Sequence, residues 1–282
     1  MGLGRGEVTE MLSMFQLSPS RALGQNFLCD PNVAAKIVRL AGISTSDYVV
    51  EIGPGVGSLT VELASSAHSV VAIELDRYLI DALSEVLRRR AVANVELVVA
   101  DAMGADYEAL LAEAGTWKLV ANLPYNIATP LILTLLEQQM MITEMLVMVQ
   151  REVGERLCAS PGGSDFSQVA LKLGYFATAK IVSLISRDVF IPKPNVDSVL
   201  VQIIRRAEDE LYLEEQTYRR LFSLARLAFS NRRKMIRHTL SGVISTEQIE
   251  AAGIDPSRRP ETIELREWRA LAETSIDSQG SQ

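Results

Sequence analysis

Short runs rich in valine and isoleucine alternate with segments of helical period along this chain, and that alternation limits the folds it can adopt. Buried strands separated by helices are typical of βαβ units, in which neighbouring strands run parallel. We therefore predict an α/β fold with a mostly parallel sheet. The strands are predicted near Tyr48–Ile52, Ser69–Leu75, Val95–Ala100, Trp117–Asn122 and Glu144–Val149.

The pattern changes in the last third of the chain. Two later apolar runs, Lys180–Ile185 and Ser198–Ile204, are close together in sequence, so we predict that they pair antiparallel at the sheet edge. Beyond the second run only helical patterns remain. We therefore predict two domains: 1–208, which includes an N-terminal arm over 1–29, and a smaller all-helical domain over 209–282.

Two of the predicted helices have recognisable starts. A capping side chain followed by proline favours a helix N-terminus, because proline lacks an N–H that would be unpaired there anyway. Asp30-Pro31 and Thr129-Pro130 both have this form. We predict that each pair begins a helix.

Composition limits the environment and the class of the protein. Hydrophobic residues make up 48% of the 282 residues, yet no stretch approaches the roughly 20 apolar residues of a membrane span. The N-terminal stretch carries acids where a secretory signal would be basic and then apolar. We expect a cytoplasmic protein without a membrane partner. Cys29 and Cys158 lack the spacing of a zinc site or a disulfide framework.

One strongly cationic segment stands out in an otherwise acidic chain. The formal net charge is −7, from 28 basic and 35 acidic residues, but the segment Arg219–Arg237 contains no acid. Attraction to phosphate depends on where charges lie rather than on the net charge. We predict nucleic-acid phosphate contacts here and in the following Arg258-Arg259 pair; the alternative is a solvated cationic helix face.

A glycine-rich loop follows the first predicted strand. Gly53, Gly55 and Gly57 allow a tight turn from strand to helix and let a ligand approach the backbone closely. The dinucleotide fingerprint has glycine at the sixth position, where this chain has Ser58, so a nicotinamide or flavin cofactor is disfavoured. The loop predicts a nucleotide-type cofactor site, and a purely structural turn is the alternative.

Acidic residues end the next two strands. Glu74 lies about 20 residues beyond the glycines, where a carboxylate can accept hydrogen bonds from both ribose hydroxyls of a bound nucleotide. Asp101 follows the third strand and is placed to reach an adenine amino group. Each acid alone could be an exposed strand-end carboxylate. Open α/β sheets bind ligands at this edge, so together they support a cofactor site.

The fourth strand ends in Asn122-Leu123-Pro124-Tyr125. The lone pair of a nucleobase amine is delocalised into the ring, so alkylation requires that it be localised. The amide oxygen of Asn122 and a backbone carbonyl fixed by Pro124 could accept the two amine hydrogens, while Tyr125 stacks on the base. The tetrapeptide predicts a clamp for an amine; an ordinary turn after a strand is the alternative.

With these residues in view, the sequence resembles the S-adenosylmethionine-dependent ribosomal RNA adenine dimethyltransferases, and most closely the bacterial small-subunit enzymes linked to kasugamycin sensitivity. The resemblance covers nearly the whole chain. It implies a Rossmann-like class I methyltransferase domain followed by a helical domain. The matching stretches are LGQNFL from Leu23, EIGPGVGSLT from Glu51, Glu74, Asp101, NLPY from Asn122, VFIPKPNVDS from Val189, and AFSNRRKMIRHTL from Ala228.

The resemblance implies roles for individual residues. The implied donor-binding residues are Gln25, Asn26, Leu28, Gly53, Gly55, Glu74, Leu75, Asp101, Ala102 and Asn122. The implied catalytic residues are Asn122, Leu123, Pro124, Tyr125 and Phe190, with Phe190 facing Tyr125 across the target adenine. The implied RNA-binding residues are Arg219, Arg220, Arg232, Arg233, Lys234 and Arg237.

The resemblance also implies the reaction and the partner. Two adjacent adenosines in the 3′-terminal hairpin of small-subunit ribosomal RNA would be dimethylated within an assembling 30S particle, by a monomeric protein. The sulfonium methyl is already activated, so no metal is required. Four other possibilities remain. They are a resistance methylase of large-subunit RNA, a catalytically silent assembly factor, a nicotinamide-dependent oxidoreductase, which Ser58 disfavours, and a DNA adenine methylase, for which a proline-proline-aromatic clamp would be more usual.

Overall fold

The computed structural model describes residues 1–20, 24–207 and 213–277. The motif residue Leu23 and the predicted domain boundary at 208–209 lie outside these ranges. Among the described helices, none is both long and apolar enough to cross a membrane.

Seven of the nine described strands match the predicted apolar runs closely, whereas β1 and β8 have no predicted counterpart. They are β1 (Phe27–Leu28), β2 (Tyr48–Ile52), β3 (Ser69–Glu74), β4 (Val95–Val99), β5 (Trp117–Asn122), β6 (Ile142–Gln150), β7 (Ala177–Ile185), β8 (Phe190–Ile191) and β9 (Ser198–Arg205).

Within the described part of the chain, seven strands form one sheet in the order β4-β3-β2-β5-β6-β9-β7. The pairs β2–β3, β3–β4, β2–β5 and β5–β6 are parallel, whereas β6 and β9 are antiparallel. The predicted α/β fold with a mostly parallel sheet is confirmed. The two later strands, β7 and β9, are neighbours, and β7 forms the sheet edge. Strands β1 and β8 pair antiparallel in a separate two-stranded sheet.

The helices occupy the connections between strands and most of the C-terminal part of the chain. They are α1 (Arg5–Met14), α2 (Pro31–Leu40), α3 (Ser58–Ala64), α4 (Arg77–Arg89), α5 (Tyr107–Leu110), α6 (Ala128–Gln138), α7 (Arg151–Leu157), α8 (Gln168–Phe176), α9 (Glu215–Phe229), α10 (Ile236–Thr239), α11 (Thr246–Ala251) and α12 (Leu265–Asp277).

One of the two predicted helix starts is correct and the other is wrong. Asp30 caps α2, because its carboxylate accepts hydrogen bonds from the amides of Asn32 and Val33, and Pro31 is the first helical residue. In contrast, α6 begins at Ala128, so Thr129 lies inside the helix and caps nothing. The helix begins earlier because the turn after β5 already directs the chain into helical geometry: the amide of Ile127 bonds to the carbonyl of Pro124.

The chain divides into two compact units that differ in extent from the predicted domains. Unit 1 comprises residues 1–154 and 179–205, and unit 2 comprises 155–178 and 206–282. The difference from a single boundary near 208 arises because α8 packs against α9 and α12. Aromatic rings hold this packing: Tyr175 lies edge-on to Phe222 with ring centroids 5.7 Å apart.

The core of unit 1 is an apolar layer on the sheet. Val49, Val70 and Val120 are each at most 1% exposed, and they pack with Leu63 of α3 and Leu146 of β6 in one cluster. Burying such side chains removes apolar surface from water, at roughly 25 cal/mol per Å². Because β2, β3, β4 and β5 are parallel, their carboxyl ends meet at one edge of the sheet, which positions the site.

The N-terminal arm is also part of unit 1. Helix α1 contributes Val8 and Met11 to a second buried cluster, which includes Phe27 and Val56 next to the glycine loop. The side-chain hydroxyl of Ser58 donates to the carbonyl of Leu3 at 3.3 Å. The N-terminal arm therefore packs against the glycine-rich loop, for which the sequence predicts a cofactor site.

Candidate active site

A cleft opens at the carboxyl ends of β2, β3 and β5. It contains about 1130 Å³ of space, including the part open to solvent, and residues that follow each of these strands line it. All ten predicted donor-binding residues and the whole Asn122–Tyr125 tetrapeptide line it. The sequence-derived site residues of this edge therefore lie around one cavity.

The glycine loop requires glycine for two separate reasons. Gly53 and Gly55 both have left-handed backbone angles, with φ of 69° and 59°, which side chains with a Cβ rarely adopt. A Cβ on Gly55 would also lie 2.8 Å from Cδ1 of Phe27. The loop thus combines a backbone conformation and a close approach that other residues would disrupt.

Glu74 is the structural anchor of this loop. Its Oε2 accepts a hydrogen bond from the amide of Gly55 at 3.2 Å, and its Oε1 accepts from the amides of Leu75 at 2.9 Å and Asp76 at 3.1 Å. Burial raises the pKa of the Glu74 carboxyl, and these three hydrogen bonds oppose that rise. A carboxylate held this way at a strand end is suited to accept hydrogen bonds from ribose hydroxyls.

The sequence analysis did not identify Glu51, which lines the same cavity. It is 2% exposed, and burial raises the pKa of its carboxyl to about 8. The hydroxyl of Thr60 opposes this rise, yet neither Glu51 Oε2 nor Thr60 Oγ1 has a hydrogen-bond partner of standard geometry among the described residues. The available signal was an acid inside the otherwise apolar strand YVVEI.

Asp101 and Ala102 form the wall beyond β4. Asp101 is exposed, and its Oδ1 accepts a hydrogen bond from the amide of Met103 at 2.9 Å. Ala102 is 6% exposed, and its carbonyl accepts a hydrogen bond from the hydroxyl of Tyr107 at 2.8 Å. Burial, together with the charge of Asp101, raises the pKa of Tyr107, so the phenol stays a donor. The hydrogen bond from Tyr107 to Ala102 therefore fixes the turn that carries Asp101.

The amide of Asn122 is oriented by the N-terminal segment. Its Nδ2 donates to the backbone carbonyl of Asn26 at 3.0 Å. Its Oδ1 is buried and has no hydrogen-bond partner among the described residues. A buried acceptor without a partner is unfavourable by about 1–3 kcal/mol unless something else satisfies it. This carbonyl oxygen on the cavity wall is therefore available to a hydrogen-bond donor of a ligand.

Tyr125 is positioned through its hydroxyl. The Tyr125 hydroxyl and the Ser198 hydroxyl are 3.0 Å apart, and Ser198 at the start of β9 is fully buried. Burial raises the pKa of Tyr125. Its ring remains partly exposed on the cavity wall, so it is able to contact a flat ligand.

The segment before β1 closes the cavity from the opposite side. Gln25 accepts a hydrogen bond from the amide of Ser20 at 2.8 Å, and its Nε2 lies 3.5 Å from Oδ2 of Asp76. Leu28 is 4% exposed and lies in β1. These contacts bring the GQNFL motif to the strand ends, although it is far from them in sequence.

Phe190 is the exception among the predicted catalytic residues. It has no exposed surface, and it pairs with Leu28 through the β1–β8 ladder. It belongs to the apolar cluster of unit 1 and does not line the cavity. The expected position of Phe190 across from Tyr125 is therefore not what the structure shows, because burial of the ring in the core is more favourable than its exposure at the cleft.

The basic segment of unit 2 contains two kinds of residue. Most of the predicted RNA-binding side chains are solvent exposed. Arg220 differs, because it is half-buried and its Nε donates to the Ser275 hydroxyl at 2.9 Å. Arg258 is likewise half-buried and forms an ion pair with Glu267. Both guanidinium groups stabilise the helical unit. The exposed residues of the predicted set are Arg219, Arg232, Arg233, Lys234 and Arg237.

The cavity wall has the groups that S-adenosylmethionine requires. It offers a carboxylate for ribose hydroxyls at Glu74, an apolar surface with an acid for adenine at Leu75, Ala102 and Asp101, and an unpaired amide oxygen at Asn122. The glycine loop contributes Gly53 and Gly55, which have no side chains, to one side of the cavity. The residues present therefore fit this donor.

Comparisons with known proteins support S-adenosylmethionine as the methyl donor. A family model described as ribosomal RNA adenine dimethylase matches residues 17–276. A relative from Moorella thermoacetica, named ribosomal RNA small subunit methyltransferase A, is 41% identical over 271 residues, which are 92% of this chain and 93% of the relative. A protein of the same name from Geobacillus thermodenitrificans is 39% identical, over 95% of this chain and 94% of its own.

Solved structures share the fold. The crystal structure of a dimethyladenosine transferase from Plasmodium falciparum has a TM-score of 0.74 at 24% identity, over 90% of this chain and 98% of that one. The crystal structure of the 23S rRNA methyltransferase ErmE has a TM-score of 0.70 at 27% identity, over 89% and 100% respectively. The identity to the first is low enough that it supports the fold alone.

Proposed function

The chain belongs to the ribosomal RNA adenine dimethylase family, and we propose on that basis that it modifies two adjacent adenosines in the 3′-terminal hairpin of small-subunit ribosomal RNA. It is an S-adenosylmethionine-dependent rRNA adenine dimethyltransferase. It transfers methyl groups to the exocyclic amine of adenine. We further propose that it acts as a monomer, in the cytoplasm, on an assembling 30S particle.

The proposal of small-subunit rather than large-subunit RNA as the substrate is supported by the sequence identities to the named relatives. The two proteins that carry the name small subunit methyltransferase are 41% and 39% identical to this chain. ErmE, named as a 23S rRNA methyltransferase, is only 27% identical. The higher identity over nearly the full length favours small-subunit RNA over the large-subunit alternative.

The unpaired Oδ1 of Asn122 is the observation that carries the proposed chemistry. Asn26 holds the other side of the same amide, so the carbonyl oxygen keeps its direction. That oxygen accepts one hydrogen of the adenine amine and draws its lone pair out of conjugation with the ring. Such a preorganised acceptor acts without reorganisation during the reaction, which is why it accelerates transfer.

Tyr125 provides the surface for the base. An adenine in a stacked RNA helix hides its amine, so the base must leave the stack before it can react. Stacking on an aromatic ring stabilises an extruded base by about 1–3 kcal/mol. The hydrogen bond to Ser198 keeps the Tyr125 ring in one orientation. The ring thus orients the base beside Asn122.

The donor supplies an activated methyl on a sulfonium, so the protein needs only to position the two reactants. Glu74 binds ribose hydroxyls, and Asp101 with Leu75 and Ala102 contacts the adenine ring of the donor. The amine product loses its proton readily to water, so no strong general base is needed. This account agrees with the absence of histidine from the cavity wall, as far as the described residues extend.

The exposed cations of unit 2 bind RNA phosphates. Arg232, Arg233 and Lys234 are consecutive and solvent exposed, and Arg237 lies three residues further along the chain, in α10. Phosphate neutralisation of this kind positions RNA without reading its sequence. We therefore propose that this segment provides affinity for the RNA and sets its register on the protein. Asn122 and Tyr125 select the base that is methylated.

Methyl transfer to ribosomal particles tests the proposal. Labelled S-adenosylmethionine is incubated with immature small and large subunits, and the modified RNA fragments are identified by mass. We expect two dimethyladenosines in the 3′ hairpin of the small subunit, and none with Asn122→Ala, although that variant should keep its thermal unfolding temperature. Label in the large subunit would identify a resistance methylase; donor binding without any transfer would identify a silent assembly factor.

A further inference from the structure

Two buried carboxyl groups line the donor cavity, and their surroundings differ. Glu74 accepts three backbone hydrogen bonds, which favour its anionic form. Glu51, at the end of β2, is more deeply buried, at 2% exposure, and its Oε2 has no hydrogen-bond partner within the described structure. The donor site as assigned above gives Glu74 a role and leaves Glu51 without one.

Among the described residues, no positive charge is a cause of the pKa shift of Glu51. Its strand neighbour on β3 is Ala72, and the adjacent Val50 and Ile52 on its own strand are buried. Within the described part of the chain, the charge that acts on the Glu51 carboxyl is that of Glu74, which raises its pKa, and the Thr60 hydroxyl opposes this rise. Burial and like charge both favour the neutral acid. Consistent with this, the pKa of Glu51 is raised to about 8.

We propose that Glu51 makes the cavity sensitive to the charge of its ligand: it carries a proton while the cavity is free of cations, and it loses that proton to solvent when a cationic ligand binds. The inference rests on the proposed function, because it takes the ligand to be a sulfonium. The change is a simple ionisation, in which the carboxylic acid becomes a carboxylate and a buffer base accepts the proton.

The consequence is discrimination between donor and product. S-adenosylmethionine carries a positive sulfur in addition to its ammonium, whereas the thioether left after methyl transfer keeps only the ammonium. A carboxylate in a poorly solvated site is stabilised by an opposite charge within a few ångströms, and it is destabilised when that charge disappears. Glu51 therefore favours retention of the donor and release of the product, which makes it a specificity-determining residue.

Calorimetric titration of the intact protein measures the number of protons released when each ligand binds. S-adenosylmethionine and S-adenosylhomocysteine are each titrated at pH 7 in phosphate and in Tris, whose ionisation enthalpies differ. The dependence of the observed enthalpy on buffer gives the number of protons released. We expect close to one proton for the sulfonium and clearly fewer for the thioether, because a group with a pKa of about 8 is mostly protonated at pH 7.

Glu51→Gln removes the titrating group and keeps its shape. We expect its binding enthalpy to be independent of buffer, and we expect the preference for sulfonium over thioether to fall by about tenfold, the equivalent of one pKa unit. Glu96→Gln removes an exposed acid on β4 and serves as the matched control. It should behave like the natural protein in both measurements.

The outcomes separate the inference from the proposed function. Tight sulfonium binding with no buffer dependence in the natural protein would overturn the role of Glu51 and leave the methyltransferase assignment intact. No binding of the sulfonium at all would contradict the proposed function itself. If Glu51→Gln fails to fold, the titrations of the natural protein still decide, and Glu51→Asp provides a second variant that retains a titrating carboxyl.

Discussion

The backbone amide of Gly55 donates a 3.2 Å hydrogen bond to Oε2 of Glu74. This contact joins the glycine-rich turn after β2 to the carboxylate at the end of β3, which we propose binds the ribose of the donor. A functional group that is fixed before the ligand arrives loses less entropy on binding.

Glu74→Gln should weaken donor binding. The amide nitrogen of glutamine is a donor and cannot accept the hydrogen bonds that now reach both carboxylate oxygens, and the charge that strengthens them is lost. Hydrogen bonds to charged groups contribute about 1.5–3 kcal/mol, so we expect the dissociation constant to rise at least about tenfold. Calorimetric titration of the variant measures it, with Glu96→Gln as the control. An unchanged dissociation constant would remove Glu74 from the donor site.

Gly55→Ala should damage both the fold and the site. The new methyl group would have to adopt a φ of 59° and approach the Phe27 ring at 2.8 Å. We expect a loss of about 1–3 kcal/mol in the free energy of unfolding, with weaker donor binding. Urea denaturation measures the loss in the free energy of unfolding. Gly104→Ala is the control, because a Cβ there meets no atom within 4 Å; equal losses in the two variants would contradict the argument.

Tyr125→Phe and Tyr125→Ala separate the ring from its hydroxyl. Phenylalanine keeps the stacking surface and loses only the contact with Ser198, so kcat/KM for small-subunit RNA should fall modestly, by about threefold. Alanine removes the ring, and loss of about 1–3 kcal/mol of stacking should lower kcat/KM by at least about tenfold. Single-turnover methylation at limiting RNA concentration measures kcat/KM for each of the two variants. Equal effects would mean that Tyr125 acts through its hydroxyl.

Replacing Arg232, Arg233 and Lys234 together with alanine should weaken RNA binding and reduce its salt dependence. If the three side chains neutralise three phosphates, the slope of log K against log salt should become smaller by about 2–3. Filter binding at several salt concentrations measures the slope. The matched control removes three cations at the C-terminal end of α4, namely Arg88, Arg89 and the capping residue Arg90, and should leave the slope unchanged. A triple variant with the natural slope would exclude this segment from the interface.

Glu51 should make the stability of the protein depend on pH. Its folded-state pKa of about 8 is above the ordinary value of 4.5, so the folded state retains a proton that the unfolded state loses. The stabilising contribution is full below pH 4.5 and is lost as the pH rises to about 8. The thermal unfolding temperature of Glu51→Gln should therefore exceed that of the natural protein by a margin that grows over this range and then levels off. A margin independent of pH would contradict a protonated Glu51.

Much of the fold could be predicted from the sequence, because the signals are local. Apolar runs of strand length located all seven strands of the main sheet, and Asp30-Pro31 located the start of α2. Thr129-Pro130 gave a wrong helix start because a cap is defined by backbone geometry, and the turn at Pro124 begins the helix two positions earlier. Parallel strand ends also meet at one edge by necessity, so the acids at Glu74 and Asp101 could be placed near the glycine loop before any coordinates.

Only the tertiary structure decided which side chains are free to act. It fixed the Asn122 amide through the backbone of Asn26, which is distant in sequence, and it placed Phe190 in the core. It bound Arg220 to Ser275 within the helical unit and left Arg232 exposed. The physical reason is that residue type and local pattern determine whether a segment forms a strand or a helix. Burial and hydrogen-bond partners depend instead on contacts between elements, which the local sequence does not encode. Protonation follows from both, as at Glu51.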